Sequence, residues 1–98
     1  MKVEHFISQK FIPGLLKKPN DYISSDFDEP ILKIIQEDEA NPVYLLLGYD
    51  DKLSKYYFTL EDNETSIDFY CPDGDLVKMF NEIMEGKGEY GIWVKDSV

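Results

Sequence analysis

Three short stretches in the middle of the chain constrain its fold most. Val43-Tyr44-Leu45-Leu46-Leu47 is a continuous apolar run of strand length. In Lys55–Glu61, Tyr56, Phe58 and Leu60 alternate with Lys55, Tyr57, Thr59 and Glu61. Beyond them Ile67, Phe69 and Cys71 alternate with Asp68 and Tyr70. Alternation with period two sends successive side chains to opposite faces of a sheet, so the second and third stretches read as half-buried strands with one wet face. The first, apolar throughout, reads as a strand covered on both faces. The links Asp50-Asp51-Lys52-Leu53-Ser54 and Asp62-Asn63-Glu64 are too short for a crossover. An antiparallel meander over residues 43–71 is therefore expected.

The period then changes. Leu76, Val77, Phe80, Ile83 and Met84 fall at i, i+1, i+4, i+7 and i+8, one apolar stripe of a helix, with Asp75, Lys78, Glu82 and Glu85 on its other side. Asp73 or Asp75 can serve as N-cap, and Gly86, backed by Gly88, as C-cap. Tyr90-Gly91-Ile92-Trp93-Val94-Lys95 reads as a last strand. Before the meander, residues 2–8 suit a short strand, Pro13-Gly14 a turn, and Lys17–Asp21 a loop. Residues 26–36 admit two readings. Phe27, Ile31, Ile34 and Ile35 are helically spaced, and Pro30 fits a first turn behind Asp28. Yet Ile31-Leu32-Lys33-Ile34-Ile35 is short and rich in β-branched residues, as a buried strand would be. The balance favours a helix ending near Gln36, with Glu37-Asp38-Glu39 as loop, because the helix dipole disfavours acids at its C-terminus. The whole reads as one α+β domain over residues 1–98. It has an antiparallel sheet of about four to five strands, with one or two helices packed on one face.

Charge excludes several functions. The 98 residues carry 20 acids against ten basic residues, all Lys, for a net charge of −10. A nucleic-acid binder needs clustered positive charge to displace counterions from phosphates, and Arg is its best bidentate reader. Direct binding of nucleic acid, or of an anionic membrane surface, is disfavoured. The imbalance is also uneven. Residues 1–20 have four Lys against Glu4 alone, a net of +3; residues 21–98 have 19 acids against six Lys, a net of −13. The acid excess keeps a protein soluble and monomeric, and it also suits a surface that meets a basic partner. The N-terminus lacks the apolar core of a secretion signal, and no apolar run approaches membrane-spanning length. A cytoplasmic protein is expected, and Asn63-Glu64-Thr65 is then a chance match to a glycosylation acceptor.

Few residues point to catalysis. His5 is the only imidazole and has no recognisable nucleophile elbow among the serines, so it reads as an edge or surface residue. Cys71 lies on an apolar face with acids for neighbours, the setting of an inert thiol rather than a reactive one. A single Cys builds neither an internal disulfide nor a zinc site. Asp26-Phe27-Asp28 and Asp73-Gly74-Asp75 share an Asp-x-Asp pattern, but neither continues as a calcium loop. From Asp73 the fifth and twelfth positions are Val77 and Met84; from Asp26 the fifth and sixth are Pro30 and Ile31. No carboxylate pair is marked out for glycoside chemistry, and no glycine-rich loop precedes a helix. No catalytic residue, metal or cofactor is assigned.

What remains is the wet face of the meander. Tyr57 and Tyr70 project there with Glu61 and Asp68, and the turn acids Asp62 and Glu64 lie close by. Exposed Tyr among acids is the make-up of an interface for a basic protein. The competing reading has the 26–36 helix or the N-terminal segment covering this face and burying the tyrosines. The functional expectation is a small acidic inhibitor that occludes a basic protein, such as an immunity protein (antitoxin) against a nuclease-type toxin. A nucleic-acid mimic of the anti-restriction or anti-CRISPR kind is the alternative, and a small enzyme or ligand-binding module using acidic residues ranks below both.

Overall fold

A computed structural model of the chain describes residues 2–19, 30–35 and 41–94. Five strands form one antiparallel sheet: β1 (Lys2–His5), β2 (Leu32–Ile35), β3 (Val43–Asp50), β4 (Lys55–Glu61) and β5 (Ser66–Tyr70), hydrogen-bonded in chain order. Helix α1 (Ile12–Lys17) follows a 3-10 turn at Gln9–Phe11, and helix α2 (Leu76–Met84) follows β5. This is the α+β architecture expected, with the meander 43–71 at its centre.

The register sorts every side chain. Leu32, Leu45 and Leu60 lie in one row, and Ile34 pairs with Val43. Phe58 sits between Leu47 and Phe69. These residues make the inner face, and all but Phe69 are buried. Both helices pack on that face: Ile12 and Leu16 from α1 and Leu76, Met79 and Ile83 from α2 join one apolar cluster with Phe58 and Leu60. Phe80 meets Phe58 with ring centroids 6.2 Å apart. Truncating so central a ring as Phe58 to Ala costs about 3–5 kcal/mol in comparable cores.

The α2 boundaries follow the expected chemistry. Asp75 is the N-cap, its side chain accepting the Lys78 N–H. At the other end Gly86 N–H donates to the Ile83 carbonyl and Lys87 N–H to the Glu82 carbonyl, a Schellman closure around left-handed Gly86. Met79 is a buried member of the stripe that the spacing did not single out.

Four expectations are corrected. Residues 32–35 are strand β2, not helix; they pair with β1 on one side and β3 on the other, which outweighs their helical spacing. The rest of that expected helix, 26–29 and 36, lies outside the described residues, as does the loop 37–39. Pro13-Gly14 is not a turn but the first part of α1, where a proline is tolerated because the N–H it lacks would have had no partner. The expected last strand is instead a 3-10 turn at Gly88–Ile92, after which consecutive Trp93 and Val94 are both buried. Strict strand alternation would send those two to opposite faces. Finally, β3 is buried on one face only: Val43, Leu45 and Leu47 are inside, while Tyr44, Leu46 and Gly48 are half-buried on the other.

Candidate functional site

The outer face of the sheet carries the residues singled out from the sequence. Tyr57 and Tyr70 are direct partners across β4 and β5, as are Thr59 and Asp68, and Glu61 and Ser66. Tyr57, Glu61, Asp68 and Tyr70 therefore share one face. Both described helices lie on the other side, so among the described residues no helix covers it.

Backbone geometry builds this face locally. The β3 residue opposite Tyr57 is Gly48. The phenol ring lies directly over it, and a Cβ there would collide with the far end of the ring. Glycine inside a strand often marks such a close approach. The Tyr57 and Tyr70 rings meet at 5.3 Å with a 50° tilt, a favourable aromatic geometry. The Tyr70 hydroxyl donates to Asp50 Oδ2 at 2.9 Å. The other oxygen of Asp50 accepts the backbone N–H groups of Lys52 and Leu53, which shapes the β3–β4 turn. These bonds hold the Asp50 carboxyl below the usual carboxylate range, the Leu53 N–H first and the Tyr70 hydroxyl next. The same bond raises the Tyr70 phenol above its ordinary value. The Thr59 hydroxyl donates to Asp68 Oδ1 at 2.7 Å, fixing that carboxylate on the face.

The two turn acids behave differently. Asp62 Oδ1 accepts the backbone N–H groups of Glu64 and Thr65, each at 2.8 Å, and these bonds keep its carboxyl below the ordinary range, Thr65 contributing most. Asp62 is thus a structural clamp of the β4–β5 turn. Glu64 is exposed beside it. Asn63 Nδ2 donates to Asn41 Oδ1, tying this turn to the approach to β3. At this same end Lys33 lies 5.9 Å above the Tyr44 ring, a cation–π contact across β2 and β3. Gly48, Asp50 and Tyr44 were not among the expected site residues; the glycine interrupting an apolar strand was the signal for the first.

The other candidates gain little chemistry. Cys71 is buried, and burial first, then its bond to Asp73 Oδ1, pushes the thiol up, away from reactivity. His5 is exposed in edge strand β1, on the rim of an apolar groove of about 490 Å³ between α1 and α2. Among the described residues no three His, Cys, Asp or Glu side chains are grouped to hold a metal ion, and no helix is long and apolar enough to cross a membrane. The chain matches no protein-family model, no curated protein and no solved structure.

Proposed function

We propose that this chain is a small acidic inhibitor that binds and occludes a basic protein, as an immunity protein (antitoxin) does a nuclease-type toxin in the cytoplasm. One observation carries the reading: the Tyr57–Tyr70 pair, flanked by Asp50, Glu61 and Asp68, on a sheet face left open by both described helices. Two features suit such a role. Tyrosines supply large contact area at low entropic cost, and here Gly48 and Asp50 hold them in place before any partner arrives. Carboxylates around them attract a cationic active site and raise the encounter rate.

The test starts with the chain as bait in lysates of its source and of competing cells. Association with a recovered basic partner is then timed against salt. The rate is expected to fall about tenfold or more from low to high ionic strength. The triple variant Glu61→Lys, Glu64→Lys, Asp68→Lys is expected to slow it by a similar factor with the fold intact. Asp62 is left unchanged because it clamps a turn. A partner that is not basic, or a rate indifferent to both salt and charge reversal, overturns the proposal.

A further inference from the structure

The sheet has two edges, and they differ. In an antiparallel ladder, residues that exchange hydrogen bonds with the neighbouring strand alternate with residues whose main chain points away. Cys71 N–H donates to the Tyr56 carbonyl and Asp62 N–H to the Thr65 carbonyl, each at 2.9 Å. With the β4–β5 register this parity makes Phe69 and Ile67 the residues bonded to β4. Ser66, Asp68 and Tyr70 direct their N–H and C=O groups outward, and no described element pairs with them. β5 has five residues and no proline, and Ile67 and Tyr70 stand 46% and 38% exposed. Strand edges this open are templates for another strand unless shielded.

Which strand fits follows from the side chains. Asp68 and Tyr70 lie on the outer face and Ile67 and Phe69 on the inner one. An added strand would place residues directly opposite Asp68 and Tyr70 on the outer face, and others beside Ile67 on the inner face. Cationic side chains at the first positions meet a carboxylate and a phenol ring; apolar ones at the second extend the core. A second copy of this chain fits badly. Centred self-pairing of β5 through its outward groups sets Asp68 opposite its own copy, and like charges directly opposed destabilise a sheet. Edge β1 is shorter, with Lys2 at its start.

We infer that the outer edge of β5 is a β-addition site for an extended segment of alternating basic and apolar residues in the partner. The inference rests on the inhibitor reading and specifies its mode: main-chain bonds at Ser66, Asp68 and Tyr70 add affinity, and alternate side chains add specificity.

The probe is a nine-residue peptide alternating Lys and Val, titrated into the intact chain while backbone amide exchange is followed residue by residue. Ser66, Asp68 and Tyr70 amides are expected to exchange fast in the free protein and to slow at least about tenfold when the peptide saturates. A peptide of the same sequence N-methylated at alternate amides is expected to give no protection, since it keeps the charge but loses the donors. Ser66→Pro removes one outward N–H without touching the β4 ladder, and is expected to weaken binding while stability is retained. Protection absent at millimolar peptide, equal with the N-methylated control, or confined to β1 overturns the inference. If a basic partner still binds with salt-sensitive kinetics while these amides stay fast, the edge mode fails and the inhibitor reading stands. If the peptide protects the edge and the recovered partner is not basic, the inhibitor reading fails alone.

Discussion

The Tyr70 hydroxyl donates a 2.9 Å hydrogen bond to Asp50 Oδ2, joining the last residue of β5 to the last residue of β3 across β4. Asp50 is itself held by the backbone of the turn that follows it. The position of an outer-face aromatic is therefore set by a turn twenty residues earlier in the chain. Three predictions test how this face, its turn and the ends of α2 are built.

Gly48→Ala separates binding from stability. The added methyl displaces the end of the Tyr57 ring, which can swing into solvent, while alanine restricts the unfolded chain. These effects offset, so urea unfolding is expected to shift by less than about 1 kcal/mol. Partner affinity is expected to drop clearly, because Tyr57 no longer rests against Tyr70. Retained affinity would show that the ring pair is not the anchor.

Acid should weaken the fold through specific carboxylates. Asp62 binds its proton less readily folded than unfolded, because the Thr65 and Glu64 amides prefer the charged form. A depressed folded pKa gives stability that is present above the unfolded value of about 4 and is lost as pH falls through the folded one. Asp62→Asn keeps an acceptor without the charge. The stability difference between wild type and variant is expected to be largest near neutrality and to shrink as pH falls from about 5 towards 2. A difference independent of pH refutes the assignment. Tyr70 has the opposite sign: its raised phenol pKa gives stability present below about 10 and lost as pH rises through the folded value.

Two glycines with positive φ should respond differently to substitution. Gly86 has φ +69°, and a Cβ there would press on the Val94 carbonyl; Gly74 has φ +75° with open space around it. Alanine at either site strains the backbone by about 1 kcal/mol or more. Asparagine, which tolerates the left-handed region, is expected to recover most of that loss at Gly74 and little at Gly86. Chemical denaturation of the four variants checks this; equal rescue at both sites would remove the close approach to Val94 from the account.

The meander and α2 were legible because each carries its period within a single segment. Tyr56-Phe58-Leu60 cannot face one core as a helix, and Leu76-Phe80-Ile83 cannot as a strand. The Asp75 cap and Gly86 closure were legible for a similar reason, since orphan amides and carbonyls at helix ends need local partners. Tyr57, Glu61, Asp68 and Tyr70 fell on one face as expected, because alternation and the short β4–β5 turn fix it. Asp62 has in addition a turn-closing role that the sequence reading did not assign to it: its carboxylate accepts the Glu64 and Thr65 N–H groups.

Sequence by itself determined the periods of the meander and of α2, the two turns of the meander, the α2 caps and the face on which the tyrosines and acids sit, because those depend on residues close together in the chain. Only tertiary structure decided that residues 32–35 are a strand, since the strands they pair with, Lys2–His5 on one side and Val43–Asp50 on the other, are separate segments of the chain. It alone put a 3-10 turn at Gly88–Ile92 in place of the expected last strand, so that the Tyr90 ring meets Phe69 edge-on and both Trp93 and Val94, just after the turn, reach the core. It also set Gly48 beneath Tyr57 and Asp50 beside Tyr70. The physical reason is common to all of these: local pattern fixes which way a side chain points, but a backbone group or ring finds its partner only when distant segments are brought into register.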